Sequence, residues 1–199
     1  MNLARRPFIV AMAAAALLTG CEVAPKAEGD MALGAPAGAK VTVVEYASVT
    51  CGVCAAWQEQ VWPEFKAKYV DTNKVRYVFR ELPTPPQDVA AAGFLLARCA
   101  GEDKYFDVVH QIMASQSEWQ AGIPPRATLQ RVATAAGLSE DQYRECLADP
   151  EAIKALDARI KAAKDMGVSG TPAFYVNGVA VTDKSMSGLS QAIDAELAR

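Results

Sequence analysis

A run of strand-forming residues stops just short of two closely spaced cysteines, and this junction constrains the fold more than any other feature. Residues 41–57 read VTVVEYASVTCGVCAAW. Val41, Val43, Glu45 and Ala47 alternate with Thr42, Val44 and Tyr46, the period of a strand, with apolar residues on both faces. From Cys54 the spacing changes. Cys54, Trp57, Val61, Phe65 and Tyr69 recur every three or four residues, which predicts a helix face, and Pro63 is expected to kink it. KVRYVFRE, residues 74–81, predicts a second strand, so 41–81 forms a strand–helix–strand unit with parallel strands. Cys51 then stands at the helix N-terminus, where free N–H groups and the dipole favour a thiolate.

A Cys-x-x-Cys pair serves a zinc site, a haem tether or a redox couple. A structural zinc site wants four ligands in paired clusters, whereas this chain offers one Cys-x-x-Cys, the isolated Cys99 and Cys146, and a single histidine, His110. Haem attachment needs histidine directly after the second cysteine, where Ala55 stands. Redox use of Cys51 and Cys54 is the reading that remains, with no metal and no organic cofactor expected.

The other cysteines take their meaning from the first twenty residues. MNLARRPFIVAMAAAALLTGC has a basic start at Arg5 and Arg6, then an apolar stretch from Pro7 to Leu18 that is too short to span a bilayer. It reads as an export signal over residues 1–20. Leu18-Thr19-Gly20-Cys21 resembles the lipobox of bacterial lipoproteins, which implies lipidation of Cys21; the alternative is an ordinary cleaved signal with a chance cysteine. An exported chain places its thiols in an oxidising compartment. The chain has five cysteines, and with Cys21 lipidated four remain. Cys99 and Cys146 are then a structural disulfide or two buried free thiols, and export favours the disulfide.

Residues 22–40, EVAPKAEGDMALGAPAGAK, are rich in Ala, Gly and Pro without a helical or strand period, and read as a tether. LPTPPQD, 82–88, breaks the pattern again and opens a helical section. Helices are predicted near 88–100, 103–116, 126–136, 139–147 and 150–166. Ser139 with Gln142 forms a capping box, and Asp149-Pro150 suits an N-cap and first turn. GVSGTPAFYVNGVAV predicts a loop and a hairpin, 173–176 and 179–182, joined by Asn177-Gly178, before an amphipathic helix over 186–198. Half of the 199 residues are hydrophobic, enough for one domain with a core. The net charge of −3 and the lack of a basic stripe argue against nucleic acid.

VTVVEYAS before the pair, KVRYVFREL after it and GVSGTPAFYVNG near the end, in that order, resemble the thioredoxin superfamily. The helical section between the halves makes the resemblance closest to DsbA-like exported thiol-disulfide oxidoreductases. The fold expected is α/β, a thioredoxin fold with an inserted helical domain. After the signal peptide at 1–20, the lipidated N-terminus and linker would span 21–40. The first half of the fold would span 41–85, the helical insertion 86–166 and the second half 167–199. The resemblance makes Cys51 the reactive cysteine and Cys54 its buried partner. It makes Thr171-Pro172 a cis-proline pair facing them, with Thr171 open to a substrate strand. Glu45 has two readings: a strand-end acid reaching solvent, or a buried proton acceptor beneath Cys54 with a raised pKa. The resemblance favours the second.

Implied partners are reduced secreted or periplasmic proteins and a membrane thiol oxidase of the DsbB kind, with the monomer lipid-anchored in the periplasm. One departure bears on direction. The best-known DsbA proteins carry Pro-His between the cysteines, and Gly52-Val53 here offers no side-chain donor to a Cys51 thiolate. A reductase or isomerase of the same fold, and a non-catalytic binding lipoprotein, are the rival expectations. His110 reads as a satisfied core or surface histidine, and Trp57, Trp62 and Trp119 as core or groove-lining side chains.

Overall fold

The computed structural model describes residues 29–199. The export signal, Cys21 and the first part of the tether lie outside the described residues. The strand–helix–strand unit is present: strand β2 (Thr42–Ala47), helix α1 (Gly52–Gln60), a short helix α2 (Trp62–Phe65) running into a π-helical turn (Lys66–Val70), and strand β3 (Arg76–Glu81). β2 and β3 are parallel, with Val43 opposite Tyr77, Glu45 opposite Phe79 and Ala47 opposite Glu81. The expected kink falls at Val61, between α1 and α2, and helical bonds run on across it, from the Val61 N–H to the Trp57 carbonyl at 2.9 Å and from the Phe65 N–H to the Val61 carbonyl at 3.0 Å. α1 ends at Gln60, and Pro63 sits in the first turn of α2, where its missing N–H costs nothing.

A strand absent from the sequence reading comes first. β1 (Met31–Gly34) pairs antiparallel with β3, inside the segment read as a tether. Its four residues are too few to declare a period among Ala, Gly and Pro neighbours, and its hydrogen bonds come from a strand far along the chain. Asp30, just before it, grips Arg80 of β3 through two bonds of 2.9 Å.

Six helices then intervene: α3 (Gln87–Cys99), α4 (Glu102–Ala114), the short α5 (Gln116–Gln120), α6 (Pro125–Ala135), α7 (Glu140–Ala148) and α8 (Pro150–Asp165). Local chemistry sets several of their ends. Ser139 and Gln142 close a reciprocal capping box on α7, and Asp149 caps α8 with Pro150 in its first turn. Strands β4 (Ala173–Val176) and β5 (Val179–Val181) form the hairpin, and α9 (Met186–Ala198) closes the chain. Asn177 and Gly178 both have positive φ, 47° and 84°, the conformation of the tight turn that Asn-Gly favours. The sheet order is β1-β3-β2-β4-β5. One face packs against α1, α9 and the insertion through Val43, Cys54, Trp57, Tyr77, Phe94 and Phe174. The other face, with Val44, Tyr46 and Val78, meets Ala163 at the end of α8.

Candidate active site

β2 is sealed on both faces and delivers the chain to the start of α1, so the cysteine pair is fixed by the core beneath it. Cys51 is the N-cap of α1, in extended conformation, and its Sγ accepts the Cys54 N–H at 3.1 Å. The two Cα atoms are 5.2 Å apart and the sulfurs are joined as a disulfide. The exposure of the pair is unequal: Cys51 is 8% exposed and Cys54 is 0% exposed. Only Cys51 reaches the surface, beside an exposed Val53. The Thr171 carbonyl oxygen lies 3.6 Å from Cys51 Sγ, and the Thr171–Pro172 bond is cis, as is Pro85–Pro86.

Glu45 lies on the sheet face that α1 covers. It is 1% exposed, so the solvent-reaching alternative is ruled out. The Tyr77 hydroxyl donates to Glu45 Oε2. Burial raises the Glu45 pKa to about 7, opposed by that hydrogen bond. A carboxyl that titrates near neutrality both gives and takes a proton at working pH. Beneath the pair, Trp57 packs on Phe174 at 4.7 Å and donates its indole N–H to the Lys184 carbonyl at 2.9 Å. Among the described residues no cluster of His, Cys, Asp or Glu could hold a metal ion.

A thioredoxin family model matches residues 26–195. The chain belongs to the thioredoxin family. Within that family it is DsbA-like. It is 38% identical over 169 residues to a Rickettsia bellii protein named as a protein-disulfide oxidoreductase, covering 84% of this chain and 64% of that protein. The chain thus spans under two thirds of that relative's length. The crystal structure of alpha-DsbA1 from Wolbachia pipientis superposes with a TM-score of 0.80 at 25% identity, over 90% of this chain and 96% of that one. BdbD from Bacillus subtilis, at 18% identity and covering 88% of this chain and 96% of that one, shares the fold with a TM-score of 0.76.

In this DsbA-like chain, several residues that hold the site carried no signal in the sequence. Gln116, at the start of α5, donates to the Val49 carbonyl at 2.8 Å and to the Cys51 carbonyl at 3.3 Å. The insertion therefore fixes the loop that presents Cys51. Gly93 of α3 lets that helix approach the same loop: a Cβ there would meet Val49 Cγ2 at 2.8 Å. The Ser48 hydroxyl bonds that of Thr50 at 2.9 Å and accepts the Thr84 N–H at 3.1 Å. Only the run of hydroxyl residues in ASVTC hinted at such a network.

Cys99, at the end of α3, and Cys146, on α7, have Cα atoms 6.0 Å apart and are joined as a disulfide, well inside the insertion and separate from the first pair. His110 sits on α4 and shares a 2.6 Å hydrogen bond with Gln58 of α1. Burial lowers its pKa to about 4, so its ring is neutral at pH 7. Trp57 and Trp62 are core residues and Trp119 is half-buried.

Proposed function

We propose that this chain is an exported dithiol oxidase that exchanges the Cys51–Cys54 disulfide with cysteines of secreted proteins. The observation that carries the reading is the asymmetry of the pair, with one sulfur at a helix N-terminus within reach of solvent and the other sealed. A substrate thiolate attacks Cys51 Sγ, the Cys51–Cys54 bond breaks, and Cys54 leaves with the electron pair. Neutral Glu45 supplies the proton that the buried Cys54 sulfur needs. A second substrate thiolate then attacks the substrate sulfur of the mixed disulfide and releases Cys51 as a thiolate. The substrate has lost two electrons and the enzyme has gained them. The departing thiolate keeps the N–H of Cys54 and the dipole of α1 as stabilisation. Thr171 offers its backbone to the substrate strand beside Cys51. No metal or organic cofactor takes part.

Reoxidation falls to a membrane thiol oxidase of the DsbB kind. Residues 1–20 act as the export signal, and Cys21 carries a lipid that holds the monomer to the membrane in the periplasm. Membrane fractionation tests the anchor: Cys21→Ser should become soluble, and wild-type protein found wholly in the soluble fraction would refute it.

The enzymatic reading is tested by trapping. Cys54→Ser with Cys51 first activated as its thionitrobenzoate mixed disulfide should be attacked at Cys51 Sγ by a thiolate of reduced, unfolded ribonuclease, releasing thionitrobenzoate and keeping the ribonuclease attached, and Cys51→Ser treated in the same way should not. Attachment through position 54, or no exchange at all, would overturn it. Direction is read by comparing ribonuclease oxidation with insulin reduction, since faster insulin reduction would favour the reductase alternative.

A further inference from the structure

Glu45 has two carboxyl oxygens, and the chain commits one of them. Tyr77 lies on β3 opposite Val43, two residue pairs before the Glu45–Phe79 pair and therefore on the same face of the sheet. That diagonal is within reach of an aromatic side chain. Tyr77 is 0% exposed, and its ring is wedged against Trp62 at 4.7 Å and Phe106 at 6.0 Å. The hydroxyl therefore has one place to go, and it goes to Glu45 Oε2.

We propose that Tyr77 is a positioning residue for the redox reaction, holding Glu45 Oε2 so that Oε1 is the oxygen that carries the proton exchanged with Cys54. The proposal rests on the reading of Glu45 as the proton partner of Cys54. Burial pushes the Tyr77 hydroxyl well above its ordinary pKa, so across the working range it stays neutral and keeps the hydrogen that it donates. While the Tyr77 hydroxyl donates to Oε2, the proton of the neutral acid sits on Oε1. The same bond favours the carboxylate over the acid and opposes the effect of burial.

The groups that face this pair leave Tyr77 as the tuning element. α1 contributes Cys54 and the uncharged Trp57 to the core cluster that holds Tyr77; from β4, the residue paired with Glu45 is Phe174. From α4 comes Tyr105, itself held above its ordinary pKa by burial. Glu81 of β3 is engaged by Arg98 and Arg159. Among the described residues no cation contributes to the Glu45 shift.

The step to watch is closure of the disulfide. Reduced protein and oxidised glutathione form a mixed disulfide at Cys51. Cys54 gives its proton to Glu45 and attacks Cys51 Sγ, and glutathione leaves as a thiolate. The closure rate against pH, followed by acid quench and mass measurement, should inflect near the Glu45 pKa of about 7 in the wild type. Tyr77→Phe keeps the ring and removes the donor, and should move the inflection upward by about one pH unit. Tyr105→Phe should leave it in place. An unmoved inflection in Tyr77→Phe, with the inflection lost in Glu45→Gln, would overturn the role of Tyr77 alone. A wild-type inflection in Glu45→Gln would overturn the reading of Glu45 itself.

Discussion

Glu45 and Glu81 are both 1% exposed, on adjacent strands and on the same face of one sheet, yet they are used in opposite ways. Glu81 is surrounded by donors. Arg98 of α3 meets Oε1 at 2.5 Å, Arg159 of α8 meets Oε2 at 3.0 Å, and Tyr105 of α4 donates to Oε1 at 3.1 Å. Three helices of the insertion are pinned to β3 through one carboxylate. Among the described residues Glu45 has a single neutral donor, Tyr77. Burial makes an ion costly in both places. Where cations and hydrogen bonds compensate, the acid becomes a structural clamp; where they do not, it becomes a group whose proton is available near pH 7.

The contrast is most exposed at Glu81. Glu81→Gln leaves two arginines facing an amide, and breaking a buried pair in this way costs ~3–5 kcal/mol. Urea unfolding at pH 8 should show that loss. A change below ~1 kcal/mol would mean that these are ordinary solvated pairs.

Glu45→Gln should act in the opposite direction. The folded-state pKa of about 7 lies above the ordinary value of 4.5. The native state therefore has its full stability from this group below pH about 4.5 and loses it as the pH rises through about 7. A glutamine suffers no such loss. At pH 8 the variant should be more stable than the wild type by ~3 kcal/mol, and at pH 4 the difference should vanish. Equal stability at both pH values would contradict a Glu45 buried without a compensating cation among the described residues.

A smaller effect separates the two tyrosines. Tyr105→Phe removes one donor from the carboxyl that Arg98 and Arg159 clamp and should cost ~1.5–3 kcal/mol. It should do so without altering the pH dependence of thiol exchange, unlike Tyr77→Phe. A shift of the exchange profile in Tyr105→Phe would show that the clamp and the redox site are one network.

Much of the frame was legible because its signals are local. The strand period of 41–47, the cysteine pair at the next helix start, the Ser139 capping box and the Asn177-Gly178 turn all act within a few residues. β1 was missed because its ladder bonds come from β3, which the sequence places more than forty residues away. Glu81 was missed for a related reason: in RELP it looks like an acid at a strand end, and its partners at 98, 105 and 159 meet it only after the insertion has folded. Gln116 and Tyr77 likewise gain their meaning across the fold. Glu45 was noticed because an acid between valine and alanine conflicts with its strand, a conflict visible within a few residues.

The reduction potential of the Cys51–Cys54 pair, measured by equilibrating the protein in glutathione buffers and trapping free thiols, tests the central claim most directly. A structural disulfide resists the glutathione pool, with a potential below about −300 mV. A redox couple at a helix N-terminus, lacking any side-chain donor from Gly52 or Val53, should lie between about −270 mV and about −120 mV. A value in that interval is the result expected of a thiol-disulfide oxidoreductase. A value below about −300 mV would make the pair a fixed staple and contradict the account.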